Sequence, residues 1–120
     1  MTLVDALLVA VGAAVGAPLR FFANHLARER FGATPPAGTL VVNVVGSFVF
    51  GALVGGGASA APLALVGIGF CGALTTFSTL ALEVWDAMAD DRYPHAAANV
   101  ALSLTLGLGA AWAGWAVAGA

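Results

Sequence analysis

An all-α membrane protein with four transmembrane helices is the fold that this sequence predicts. Of its 120 residues 61% are apolar and only 8% are charged, and the mean hydropathy is +0.98. A soluble domain carries about 25% charged residues, because its surface must face water. Four basic and six acidic side chains are too few to form a water-facing surface of that kind. The surface of this protein is therefore predicted to contact lipid or protein.

The length of the chain limits the architecture to one transmembrane domain. A helix needs roughly 20 residues to cross a hydrocarbon core of about 30 Å. The apolar segments predict spans at about 3–23, 38–56, 63–85 and 96–117. Pro35 and Pro36 are predicted to separate the first two spans. Because so small a bundle has little room for an internal cavity, a function that requires one is expected to need a second subunit.

The polar residues argue against several function classes. His25 and His95 lie in or beside predicted loops without a paired nucleophile, and no H-E-x-x-H, G-x-S-x-G or phosphate-loop sequence occurs, so an enzyme is not expected. The single cysteine, Cys71, excludes an intrachain disulfide and a thiolate metal cluster. No basic run indicates nucleic acid as a partner.

We expect this multi-pass chain to lie in the cell inner (plasma) membrane, in contact with lipid. The positions of its arginines predict how it is oriented there. All four lie near the first-to-second or the third-to-fourth connection: Arg20, Arg28, Arg30 and Arg92. Since basic residues favour the cytoplasmic side, this distribution places both chain ends outside.

The second span carries a polar stripe. Thr39, Asn43 and Ser47 recur every four residues, so they share one helical face. Two interpretations stay open: the stripe bonds a neighbouring helix, or it coordinates a permeating solute. An asparagine amide offers two N–H donors without a fixed charge, which suits a small anion.

The third span contains the most unusual run, at 67–80. Its glycines are Gly67, Gly69 and Gly72, and its hydroxyls are Thr75, Thr76, Ser78 and Thr79. This composition favours a helix broken in mid-membrane, where irregular backbone is tolerated inside protein or along a cavity and free carbonyls can bind a cation. The alternative is a continuous helix with glycine packing, whose hydroxyls bond to their own backbone.

Three motifs in order resemble the CrcB/Fluc family of fluoride channels. They are G-A-P-L-R at 16–20, G-T-L-V-V-N-V-V-G at 38–46 and G-F-C-G-A-L-T-T-F-S-T at 69–79. The resemblance covers nearly the whole chain, including its length and its four spans. It implies a fluoride-selective channel that passively exports fluoride and protects the cell from it. It also implies an antiparallel dual-topology dimer with two pores between the subunits.

The same resemblance assigns pore residues. Asn43 would be a donor that lines the pore, and Phe77 would be an aromatic whose positive ring edge meets fluoride. Ser78 and Thr79 match the hydroxyl positions along the pore. Where the family motif normally has a second phenylalanine, this chain has Leu80, which removes one aromatic edge from the pathway.

Further positions match residues outside the pore itself. Gly72 and Thr75 match residues whose backbone carbonyls hold a structural sodium ion. Arg20 matches an arginine in the vestibule. Glu83 stands where the family often has an acid, and its role is left open.

Leu80 leaves two interpretations of the partner open. The chain forms a homodimer that tolerates the leucine, or it is a non-conducting or partner-dependent subunit of a heterodimer with a related chain. The arginine asymmetry favours the second, since a strict dual-topology protein should show little bias. The rival class is a small proton-coupled multidrug transporter, which needs a buried carboxylate in the first span. The only acid in that predicted span is Asp5, near its start.

Overall fold

The computed structural model describes residues 2–32 and 37–120, which fold into helices joined by short connections. The helices are α1 (Leu3–Phe31), α2 (Ala37–Gly55), α3 (60–74), α4 (Ser78–Ala89) and α5 (Tyr93–Gly119). Together α3 and α4 form the third span, so four helical segments are long and apolar enough to cross a membrane. This confirms the prediction of an all-α protein with four membrane-length helices. Pro35 and Pro36 lie outside the described residues.

Helix α1 is longer than the apolar segment that predicted it. It begins with a capping box, in which the Asp5 N–H donates to Thr2 Oγ1 at 3.2 Å and the Thr2 N–H donates to the Asp5 carboxylate at 3.0 Å. It ends only at Phe31, and the capping residue Gly32 has a φ of 92°, which glycine readily adopts. Arg28 and Arg30 in its last turn stabilise the negative end of the helix dipole.

Helix α3 packs against α1 through glycines. It starts with one α-helical turn (Ala60–Pro62), continues as a π-helix (Leu63–Cys71) and closes with Gly72–Leu74. A Cβ atom on Gly69 would lie 2.6 Å from the Val9 carbonyl oxygen and 3.1 Å from the Gly12 Cα. The two backbones are therefore in direct contact, which is how small residues let membrane helices approach each other.

Helices α2 and α5 form the second close pair. A Cβ atom on Gly55 would lie 2.6 Å from the Trp115 Cα, and one on Gly114 would lie 2.9 Å from the Ala52 nitrogen. The two glycine-packed pairs meet along α2, whose buried face includes Thr39, Val42 and Gly46. This arrangement places the middle of the third span between α1 and α2.

We expect Gly114→Ala to destabilise the bundle, because the added methyl group would overlap the Phe48 carbonyl and the Ala52 nitrogen. Overpacking of this kind costs about 1–3 kcal/mol. Thermal unfolding of the purified protein in detergent measures the effect. The matched control is Gly109→Ala, since a Cβ there meets nothing within 4 Å. Equal melting temperatures for the two variants would contradict the packing described for α2 and α5.

Candidate functional site at the break in the third span

The predicted break in the third span is present. Helix α3 ends at Leu74 and α4 begins at Ser78, and between them Thr75 adopts an extended conformation with φ −83° and ψ 158°. The glycines that helped to predict the break lie before it, in continuous helix. Gly69 allows the backbone of α1 to pack closely, and a Cβ on Gly67 would lie 3.2 Å from the Phe50 ring. These two glycines therefore serve packing.

Asn43 on α2 forms hydrogen bonds with both the N–H and the carbonyl group of Thr76, in the break. Its Oδ1 accepts the Thr76 N–H at 2.8 Å, and its Nδ2 donates to the Thr76 carbonyl at 3.0 Å. In a continuous helix that N–H would bond to the Gly72 carbonyl four residues earlier. The Gly72 carbonyl thus loses its helical partner.

The Thr76 hydroxyl organises the start of α4. Its Oγ1 accepts the Thr79 N–H at 3.2 Å, donates to Thr79 Oγ1 at 3.2 Å and lies 3.2 Å from Ser78 Oγ. Thr76 is 8% exposed. It caps α4 in the way that serine and threonine commonly cap helices. Thr76 was not among the site residues predicted from the sequence, although it lies in the run of hydroxyls that helped to predict the break.

Arg20 reaches the same break from α1. Its Nη1 donates to the Thr75 carbonyl at 3.4 Å, while Thr75 Oγ1 donates to the Cys71 carbonyl at 2.8 Å. Gly46 on α2 leaves room for the Thr75 methyl group, which a Cβ at that position would overlap. The arginine predicted for the vestibule and the carbonyl predicted as a sodium ligand are therefore neighbours.

Glu83 is held between α2 and α5, one turn further along α4. Thr39 Oγ1 donates to one carboxylate oxygen at 2.9 Å, and Asn99 Nδ2 donates to the other at 3.3 Å. Ser103 Oγ then donates to Asn99 Oδ1 at 3.3 Å. Asn99 and Ser103 were not predicted as site residues, although their four-residue spacing repeats the polar pattern of the second span.

The remaining predicted site residues differ in exposure. Phe77 is 81% exposed and Ser78 is also exposed, whereas Leu80 is half-buried. A Cβ atom on Gly72 would meet nothing within 4 Å. Ser47, the last residue of the polar stripe, lines a groove of about 350 Å³ together with Gly72 and Thr75. The break thus presents Phe77 and Gly72 on the surface of the protomer.

A cavity with several charged residues in its lining lies between the break and the end of the bundle where α1 ends and α5 begins. Its volume is about 820 Å³. Its charged lining consists of Arg28, Glu83, Asp86, Asp90 and Arg92, with His95 beside them. Thr79 also lines this cavity. The hydroxyl cluster at the start of α4 therefore borders a cavity whose lining includes both basic and acidic side chains.

A family model described as CrcB-like protein, Camphor Resistance (CrcB), matches residues 7–115. The chain belongs to the CrcB family. It is 42% identical over 110 residues to a protein of Nocardia farcinica named Fluoride-specific ion channel FluC 1, covering 92% of this chain and 78% of that relative. A relative of the same name from Thermobifida fusca is 44% identical over 114 residues, 95% of either chain. Another from Halobacterium salinarum is 48% identical over 110 residues, covering 88% of this chain and 86% of its own.

These similarities also fix the cellular setting of the fold. A CrcB protein whose helices include four of membrane length and apolar composition is a multi-pass protein of the plasma membrane. The break, the hydroxyl cluster and the Glu83 network are then features of membrane-spanning segments, where polar groups are costly unless they are paired or functional.

Proposed function

We propose that this chain is one subunit of a fluoride-selective channel through which fluoride leaves the cell passively, protecting it from fluoride toxicity. One observation carries the proposal: neutral donors gather at the start of a helix inside a membrane-spanning segment. The Asn43 amide and the Thr76, Ser78 and Thr79 hydroxyls form this group. The names of the relatives support fluoride as the ion.

Neutral donors match what fluoride requires. Bringing a small anion bare into a low-dielectric core costs on the order of tens of kcal/mol, so the pore must replace the lost water with close donors. A full positive charge would hold the ion too tightly, because conduction needs binding weak enough for release. The N-terminus of α4 adds the positive end of a helix dipole, and the Phe77 ring offers a weakly positive edge.

Passive transport is sufficient for protection. Moving one charge through about 100 mV is worth ~2.3 kcal/mol, which at ~1.4 kcal/mol per decade supports a roughly 50-fold gradient. An inside-negative membrane therefore expels fluoride through a selective pore without a coupled energy source.

We place the pores between two subunits in an antiparallel dimer. Support comes from Phe77, which is 81% exposed although it follows a break near the middle of a membrane-spanning segment. A second subunit in the opposite orientation would bring its own break to the same depth and cover this ring. Each pore would then take donors from α2 and α4 and an aromatic edge from Phe77.

A structural sodium ion at the break fits the residues present. The Gly72 carbonyl has lost its helical N–H partner to Asn43, and the Thr75 carbonyl lies at the end of α3, where the helix dipole is negative. Carbonyls at the C-terminal end of an interrupted helix coordinate sodium in transporters. The open space around Gly72 leaves its carbonyl accessible to a shared ion. Bound there, sodium would neutralise carbonyls that face one another across the dimer axis.

The identity of the second subunit depends on Leu80 and on the charges. Leu80 offers fluoride no aromatic edge, so a homodimer would lack it in both pores. Arg28, Arg30 and Arg92 all lie at the end of the bundle where α1 ends and α5 begins. This bias favours one fixed orientation, and hence a heterodimer with a related subunit of opposite bias.

The multidrug-transporter alternative receives less support. The acids of α1 lie at its two ends, where Asp5 belongs to the capping box at Thr2 and Glu29 lies 3.2 Å from His25. Neither carboxylate is placed to exchange a proton for a drug in mid-membrane, which is what that class requires of its first span.

The purified chain in liposomes, with its subunit partner if one is needed, should release fluoride while chloride release stays near the protein-free background. Ser78→Ala should slow fluoride release, because it removes a hydroxyl from the start of α4. The matched control is Thr105→Val, since Thr105 is exposed on α5. Ion-selective electrodes measure both fluxes. Equal release of the two anions, or a requirement for a proton gradient, would contradict a passive fluoride channel.

Replacing sodium with N-methylglucamine at constant ionic strength should lower the melting temperature of the assembled protein in detergent and favour its dissociation. The reason is that the Gly72 carbonyls of the two subunits would face each other across the dimer axis without a cation. The Thr75 carbonyls would keep only the Arg20 contact at 3.4 Å. Potassium, tested in the same way, shows whether the site selects ions by size. A melting temperature that does not respond to sodium would exclude a structural role for this ion.

Whether the second subunit is the same chain or a related one can be tested by measuring both the membrane orientation of this chain and its fluoride flux. Cys71 is only 3% exposed, so Ser59→Cys and Asp91→Cys, at opposite ends of the bundle, can be labelled with little background. We expect the chain expressed alone to insert in one orientation and to conduct poorly, and Leu80→Phe to increase the flux of any homodimer that forms. Mixed orientation with rapid flux in the unmodified chain would exclude the heterodimer.

A further inference from the structure

We infer that Asn43 is a positioning residue, which fixes the backbone of Thr76 and, through the Thr76 hydroxyl, the hydroxyls of Ser78 and Thr79. The inference rests on the proposed function and deepens it, because it assigns to Asn43 a role other than that of a direct donor to the ion. Its basis is the geometry on both sides of Thr76.

The first step is the pairing of the amide with the peptide backbone. Thr76 belongs to neither α3 nor α4, so the helices on either side leave its N–H and carbonyl without a regular partner. Asn43 bonds both, at 2.8 and 3.0 Å, and Thr76 is 8% exposed. An unsatisfied peptide group at this depth would cost several kcal/mol. The amide therefore decides the conformation in which the chain crosses the break.

The second step is transmission along α4. The Thr76 hydroxyl contacts Ser78 Oγ, Thr79 Oγ1 and the Thr79 N–H, each at 3.2 Å. These contacts are the cap of α4 and include the two predicted pore hydroxyls. A displacement of the Thr76 backbone therefore moves three polar groups at once. A residue that only donated a hydrogen bond to the ion would affect that one bond alone.

The third step concerns the donors of Asn43 itself. An asparagine amide has two N–H donors and one carbonyl acceptor. One donor and the acceptor are used on Thr76, so at most one N–H remains for an ion, in a direction fixed by the amide plane. Loss of Asn43 would thus remove a single direct donor but release the whole hydroxyl cluster.

Neighbouring residues on α2 reinforce this role. Four residues before Asn43, Thr39 donates to Glu83 on α4, and three residues after it, Gly46 makes room for Thr75. One face of α2 therefore contacts the break itself and α4 one turn further on. The charged groups connected to this cluster are Arg20, through the Thr75 carbonyl, and Glu83, through Thr39.

Asn43→Asp separates positioning from direct donation. A protonated carboxyl has one donor and one acceptor and can form both bonds to Thr76, with no donor left for an ion. An ionised carboxylate can only accept, so it loses the bond to the Thr76 carbonyl. We expect fluoride flux through Asn43→Asp at low pH and its loss as the pH rises through the range in which a buried carboxyl ionises. Wild-type flux, corrected with protein-free liposomes for fluoride that crosses as HF, should stay constant over this range.

Hydrogen exchange provides a readout that does not depend on fluoride transport. In fluoride-free detergent, Asn43→Leu should accelerate exchange of the amides at 76–79 by at least about tenfold, which is ~1.4 kcal/mol, and Asn43→Asp should show protection that returns at low pH. Ser47→Ala, one turn further along the same face of α2, is the matched control and should leave this exchange unchanged. A wild-type protein that conducts no fluoride would contradict the proposed function and leave the exchange result as a test of the positioning role.

Two results would overturn the inference. Unchanged exchange at 76–79 in Asn43→Leu would show that the amide does not fix the break. Restored protection without restored flux in Asn43→Asp at low pH would show that the remaining N–H of Asn43 acts directly on the ion. If Asn43→Leu fails to fold, the pH series of Asn43→Asp decides between these outcomes.

Discussion

The need to satisfy peptide groups in the middle of a membrane shapes most of this molecule. Helix α3 stops at Leu74 and α4 starts at Ser78. The Thr75 N–H and the Phe77 carbonyl still form helical bonds, but the Thr75 carbonyl and both peptide groups of Thr76 are bonded by side chains instead. Neither lipid nor the interior of a small bundle supplies water in their place. The chain meets this requirement with side chains from two other helices, Asn43 and Arg20, and with the hydroxyl of Thr76 itself. The peptide groups at the break are thereby paired although they lie outside the helices.

The glycine contacts make these bonds possible. Asparagine has a short side chain, so α2 must lie close to the third span for its amide to reach a backbone. Gly46 permits that approach by leaving room for the Thr75 methyl group. On the other side, contacts at Gly12 and Gly69 bring α1 against α3, which carries Arg20 towards the Thr75 carbonyl. Packing and polar chemistry are therefore coupled here, and neither can be altered alone.

Composition and segment lengths were enough to predict the four helices, because apolar runs of membrane length are typical of transmembrane helices and uncommon elsewhere. The break was predictable from glycines and hydroxyls that fit poorly in a lipid-facing helix. Its position could be predicted only as about 69–76, which overlaps the end of the observed break, because the sequence does not distinguish Gly67 and Gly69, which serve packing, from residues that interrupt a helix. Asn99 was missed for a related reason: a single amide becomes informative only when Glu83 is seen opposite it. Such pairings depend on the rotation of each helix, which hydropathy does not report.

The three residues between α3 and α4 also determine how α4 is rotated about its axis relative to α3. Each residue added to or removed from an α-helical path turns everything after it by about 100° and shifts it by about 1.5 Å. A change of length at the break would therefore swing Glu83 away from Thr39 and turn the hydroxyls of α4 towards lipid, even if every side chain were retained. The length of this segment is therefore as much a part of the site as Asn43 is.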